Sequence, residues 1–183
     1  MLSCAITGHR PTRFKFGYKE DTTGCKRLKK RLHDQFILLY EKGVRRFFVG
    51  GTLGVDMWAG EILLQIKKQP EYVDLELVEV LPFAGHDFKW DERSQRRLAF
   101  LLQYSTEHLT VGTADERRSY LARNLYLVDH ADGLLAVFDN DRSVQSDAMQ
   151  MVSLAEKRNL PIVFIHPDTA QITRENWTFL EER

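Results

Sequence analysis

The feature that most limits the fold of this chain is an alternation. Short apolar runs, each ended by glycine, proline or polar residues, are separated by segments whose apolar residues recur at helical spacing. The first run, Leu2 to Thr7, stops at Gly8-His9-Arg10-Pro11 and reads as a buried strand feeding a loop. After a polar stretch from Thr12 to Thr23, residues Leu28, Leu32, Phe36, Leu39 and Tyr40 fall on one helical face, and Gly43 closes that helix. Further strands are predicted at Arg46 to Val49, Leu75 to Leu81, His108 to Val111, Gly133 to Phe138 and Pro161 to Ile165. Further helices are predicted at Val55 to Lys68, Trp90 to Tyr104, Glu116 to His130 and Ser143 to Arg158. Pro70 bars continuation of the first of these.

Strands separated by helices pair in parallel through right-handed crossovers. Near-continuous apolar strands fit a sheet covered on both faces. The expected architecture is one α/β, Rossmann-like domain: a mostly parallel, doubly wound sheet with helices on both faces. It takes in the whole chain, residues 1–183, with a polar tail from about 167 that Trp177 and Phe179 pin back on the body. A chain of 183 residues can bury one such core. Lys plus Arg number 26, as do Asp plus Glu, which argues against a dedicated nucleic-acid binder but leaves a local basic face open. Cys4 reads as a small core residue and Cys25 as part of a basic helix start, and no Cys/His spacing suggests a metal. With neither a signal-peptide pattern nor a membrane-spanning run, the cytoplasm is the expected location.

In open α/β sheets, ligands sit beyond the carboxyl ends of the strands. The strongest candidate loop is Gly50-Gly51-Thr52-Leu53-Gly54-Val55-Asp56, set between a strand and a helix. Its glycines allow close backbone approach, and the helix start offers free N–H groups and a positive dipole end that suit phosphate. Thr52 adds a hydroxyl; Asp56 either complements the dipole or accepts a ribose hydroxyl. In the loop after the first strand, Gly8 precedes His9, a hydrogen-bonding or acid/base group, and Arg10, which can clamp a phosphate bidentately. Asp139 ends a later strand, ahead of Ser143, the expected helix cap; Pro82 ends another, ahead of Phe83, a core or base-stacking ring. On the Glu116 to His130 helix, Arg117 and Asn124 share a face that can reach the pocket, whereas Arg123 and Asn124 are expected to diverge. Glu61 and Glu79 read as isolated acids, and no set of residues reads as an assembled catalytic machine.

Two early motifs, Thr7-Gly8-His9-Arg10-Pro11 and Gly50-Gly51-Thr52-Leu53-Gly54-Val55-Asp56-Met57-Trp58-Ala59, resemble the YpsA-like family of the SLOG superfamily. The stretches Arg123 to Asp129 and Asp132 to Asp139 fit the same family, and the resemblance runs from about Leu2 to Ile165. It implies a Rossmann-like fold with a ligand at the Gly50–Asp56 loop, and relatives proposed to sense ADP-ribose or NAD derivatives. The superfamily also includes the DNA-processing protein A family, which binds single-stranded DNA, and the cytokinin-activating phosphoribohydrolases. The chain lacks the Pro-Gly-Gly-x-Gly-Thr-x-x-Glu string of the phosphoribohydrolases. Where many YpsA-like chains carry small residues after the Asp139 strand, it has Asn140-Asp141-Arg142-Ser143-Val144-Gln145, so Arg142 replaces a glycine loop or the loop is lost.

Three functions follow as expectations. The first is a cytoplasmic sensor of a nucleotide-derived, phosphate-bearing small molecule such as ADP-ribose, acting through ligand-biased conformation or homo-oligomer assembly. The second is a hydrolase of an N-glycosidic or phosphate bond with Asp56 or Glu79 as acid/base. The third is a single-stranded nucleic-acid binder using Arg10, Arg13, Lys15 and the basic face Lys26 to Arg31, with Phe14, Phe16 and Tyr18 as a stacking platform.

Overall fold

A computed structural model describes residues 1–177 of the chain. Seven strands form one sheet in the order β4-β3-β2-β1-β5-β6-β7. The strands are β1 (Leu2–Gly8), β2 (Val44–Val49), β3 (Glu76–Leu81), β4 (Glu107–Thr110), β5 (Gly133–Val137), β6 (Ile162–Ile165) and β7 (Ile172–Glu175). All neighbours pair in parallel except β6 and β7, which are antiparallel. The helices are α1 (Thr23–Glu41), α2 (Val55–Lys67), α3 (Glu92–Tyr104), α4 (Arg117–Asp129) and α5 (Asp147–Lys157).

The period-two pleat divides the core. Cys4 and Ile6 of β1, with Phe47 and Val49 of β2, pack against α1, α2 and α3. Ala5 and Phe48, from the same strands, point to the opposite layer with Val128 of α4 and Met151 of α5. The chain thus winds outward from β1 with helices on one face, then returns to β5 and winds the other way with helices on the second face. That is the doubly wound architecture the alternation implies, and the strand order reverses between β1 and β5.

Two local expectations are corrected. Ser143 does not cap α5: the Asp141 carboxylate accepts from its N–H at 3.0 Å and from its hydroxyl. The helix begins four residues later at Asp147, and the Ser146 hydroxyl accepts the Met149 N–H at 3.1 Å as the cap. The tail is more than a polar strap: Ile172–Glu175 closes the sheet edge as β7. Its mostly exposed side chains hid that strand from a reading based on apolar runs. Trp177 packs on the core, and Phe179 lies outside the described residues.

Candidate functional site

The carboxyl ends of β1, β2, β3 and β5 converge on one side of the sheet. Their loops are locked together before any ligand is considered. The Val55 N–H at the start of α2 donates to the His9 carbonyl, and Gly54, at φ +89°, brings its α-carbon so close to that carbonyl that an added Cβ would lie 2.6 Å from it. Thr52 gives both its N–H (3.3 Å) and its hydroxyl (2.7 Å) to one Asp56 oxygen.

Arg123 lies across this layer. Its side chain is 2% exposed, yet it is fully engaged. One terminal nitrogen donates to the Gly50 carbonyl, Nε donates to Asn124 Oδ1 at 2.8 Å, and the other terminal nitrogen sits 3.3 Å from Asp147. Gly50 must be glycine for this: a Cβ would fall 2.5 Å from the guanidinium and 2.8 Å from Asp56. Arg123 and Asn124 therefore do not diverge. Both turn inward, and Asn124 donates onward to Asp147 (3.0 Å) and Gln150 (2.7 Å). Asp147 also binds Arg10 at 2.9 Å, and the Arg10 guanidinium lies 5.3 Å over the Tyr120 ring. Burial pushes the Asp147 carboxyl up, but Arg123 and Arg10 outweigh it and hold its pKa below the usual range.

Glu79 is not isolated. It is fully buried on β3, neither carboxyl oxygen has a hydrogen-bond partner, and Asp56 is its charged neighbour. Burial first, and the Asp56 charge second, raise its pKa well above the ordinary value. Asp56 is raised too by burial, but Arg123 and Thr52 favour its ionised form. Among the described residues, Glu79 has no such donor or cation beside it. Glu61 is also paired, to Arg97 at 2.6 Å.

Above this charged layer, a cleft of about 580 Å³ opens between β1 and β5, at the point where the strand order reverses. Gly8, His9 and Arg10 form one wall, Arg117 and Tyr120 of α4 another, and Ser146 and Asp147 at the start of α5 a third. Arg13 lines it as well. His9 is buried with both ring nitrogens unpartnered and Nε2 3.6 Å from Asp139. Burial first, then the Arg13 charge, lower its pKa, so the imidazole is neutral near pH 7. The α5 N-terminus supplies N–H groups and a positive dipole end.

The predicted residues fall into two sets. Gly8, His9 and Arg10 line the cleft, Asp139 stands beside His9, and Asn124 braces Asp147 behind the wall. Gly50, Gly51, Thr52, Gly54 and Asp56 are buried in the layer beneath and do not line the cleft; Pro82 is buried at the end of β3, and the Gly51 carbonyl accepts from His86 Nε2 at 2.7 Å. Phe83 is buried, edge-on to Tyr120. Phe14 is buried against Phe16 and Trp58, so those rings are occupied by the core, whereas Tyr18 is exposed. Arg142 pairs with Glu156, away from the cleft lining. Sequence reasoning missed Arg123, Asp147 and Tyr120. The available signal was spacing: Ser119, Arg123 and Leu127 recur every four residues on the inward stripe of α4.

The model of the YpsA family, described as the YspA SLOG family, matches residues 4–170. The chain belongs to that family. This YpsA-family chain is 31% identical over 189 residues to a UPF0398 protein of Bacillus licheniformis, with 100% of both chains covered. It is 30% identical over 182 residues to the UPF0398 protein YpsA of Bacillus subtilis, covering 96% of this chain and 98% of that one. Among solved structures, it is similar to DNA processing protein A of Streptococcus pneumoniae, with a TM-score of 0.59 at 16% identity, covering 91% of this chain and 50% of that one. DNA processing protein A of Helicobacter pylori, whose structure addresses its single-stranded DNA binding mode, superposes with a TM-score of 0.57 at 20% identity over 99% of this chain and 72% of that one. At these identities the likeness establishes the shared fold. No helix among the described residues of the YpsA-family chain is long and apolar enough to cross a membrane.

Proposed function

We propose that the β1/β5 cleft binds a nucleotide-derived, phosphate-bearing small molecule, and that the chain senses that molecule. The observation that carries this is the pairing of position with charge: an open cleft at the strand-order reversal, lined by Arg10, Arg13 and Arg117 and by the start of α5. Among the described residues Arg13 and Arg117 have no carboxylate within ion-pair distance, so their charge is available to a ligand. Tyr120 lies on the same wall, its ring centroid 5.3 Å from the Arg10 guanidinium and 5.7 Å from that of Arg123. Beneath the cleft, the Gly50–Asp56 loop would respond to binding through Arg123, which joins it to Asp147.

The test is a thermal-shift series with ADP-ribose, NAD, AMP and a dT20 oligonucleotide, on the parent chain and on an Arg13→Glu/Arg117→Glu variant. A ligand at about 100 times its Kd adds roughly 2.7 kcal/mol, which in a domain of this size raises Tm by roughly 5–11 °C. A shift with one nucleotide, lost in the folded variant, is the expected result. No shift with any small molecule refutes the proposal. A shift with dT20 alone, steeply weakened by salt, would transfer the cleft to single-stranded nucleic acid, as bound by the Helicobacter relative.

A further inference from the structure

A second surface, independent of the cleft, lies on the outer face of α2 and α3. There the two helices leave a groove of about 740 Å³. Each helix has 13 residues, so the groove is roughly 20 Å long. Leu64 forms an apolar floor. Phe100 and Tyr104, one turn apart on α3, stand 48% and 55% exposed with ring centroids 4.6 Å apart. Such rings are normally core, and here they face solvent.

The charged rim is cationic except for Glu61. Arg93 and Arg96 flank the end near the α3 N-terminus; Lys67 and Lys68 flank the end at the α2 C-terminus. Glu61, the acid on the groove, pairs with Arg97, which Glu20 shares, and Arg96 is 3.6 Å from Glu92. Among the described residues Lys67, Lys68 and Arg93 have no carboxylate partner: Lys67 is 3.2 Å from the Thr106 hydroxyl and Lys68 is 3.4 Å from the Gln65 side-chain oxygen. In a chain with no net charge, this is a local cationic excess around an aromatic strip.

We propose that this groove docks an acidic amphipathic helix of a partner protein, with apolar residues at i, i+3/i+4 and i+7 on the aromatic strip and carboxylates meeting the cations at both ends. Charge complementarity chooses the occupant. A second copy docked through the same face would set cations against cations. Nucleic acid would use the cations, but Phe100 and Tyr104 are tilted 46° to each other at a centroid distance of 4.6 Å, so the pair presents no common plane for consecutive bases. A helix fits between two others by ridge-in-groove packing, and a partner's aliphatic side chains can cover both rings at once.

The experiment is selection of a displayed library of random 16-residue peptides on the full chain, with counter-selection on a Lys67→Glu/Arg93→Glu variant. Phe100→Ala/Tyr104→Ala serves as a second variant, and all three proteins are matched for Tm. Enriched peptides should be net acidic with apolar residues at helical spacing, should shift α2 and α3 amide resonances, and should bind each variant about tenfold or more weakly. Peptides that are not enriched over the variants, that are basic, or that shift the β1/β5 cleft instead would overturn the proposal. So would tighter binding of dT20 than of any peptide at this groove.

Discussion

Replacing Glu79 by Gln isolates the energetic cost of a buried acid. Glu79 is fully buried, no hydrogen bond reaches either oxygen, and the Asp56 carboxyl stands beside it. The folded protein therefore holds its proton at pH values where the unfolded chain, with an ordinary carboxylate near 4.5, has released it. Because the folded pKa is raised, the stability attached to this group is fully present below the unfolded pKa and is lost as pH rises toward the folded one. Within that window the loss is about 1.4 kcal/mol per pH unit. Each pH unit inside the window therefore lowers Tm by roughly 3–6 °C for a domain of this length. Gln preserves the shape and cannot ionise. Urea melts of both proteins across this window should show the variant gaining on the parent by about 1.4 kcal/mol per pH unit as pH rises. Parallel curves would refute the reasoning, because they would mean that Glu79 has the same proton affinity folded and unfolded.

Other outcomes follow from the same layer. Arg123→Met removes the cation shared by Gly50, Asn124 and Asp147 and should cost about 3–5 kcal/mol in urea unfolding, since buried acceptors lose their partner; a cost under about 1 kcal/mol would show that the network is dispensable. Ser146→Ala should cost about 1 kcal/mol and Ser143→Ala much less; equal costs would place the α5 cap elsewhere. His9 and His86, whose pKa values burial lowers first of all, should titrate below 6.5 by NMR, so these two groups subtract stability as pH falls from 6.5; a titration at or above that value would contradict their burial.

The elements were legible because each rests on a local pattern. The apolar runs of β1, β3, β5 and β6 and the amphipathic spacing of α1 are properties of consecutive residues, and the doubly wound order follows from their alternation. β7 was not legible, because its side chains are mostly exposed and only its backbone pairing with β6 defines it. At the site, glycine clusters marked the strand ends correctly, but not what stands over them. Gly50 is small for the sake of Arg123, 73 residues away, and no local pattern carries that relation. Asp147 likewise reads as an ordinary helix-start acid until Arg10, Arg123 and Asn124 converge on it.

That convergence means the cleft already contains an anion of its own. Asp147 belongs to the chain, yet it holds Arg10 much as a bound carboxylate would. Asp147 occupies one terminal nitrogen of Arg10, so an anion on the remaining donors would share that guanidinium with it. Under the proposed binding, a singly charged visitor would gain little against the Asp147 charge. One with several negative oxygens could engage Arg10, Arg13 and Arg117 together, while Asp147 keeps Arg123 and Asn124 as partners. The carboxylate would thus discriminate by charge count before any base or sugar is read.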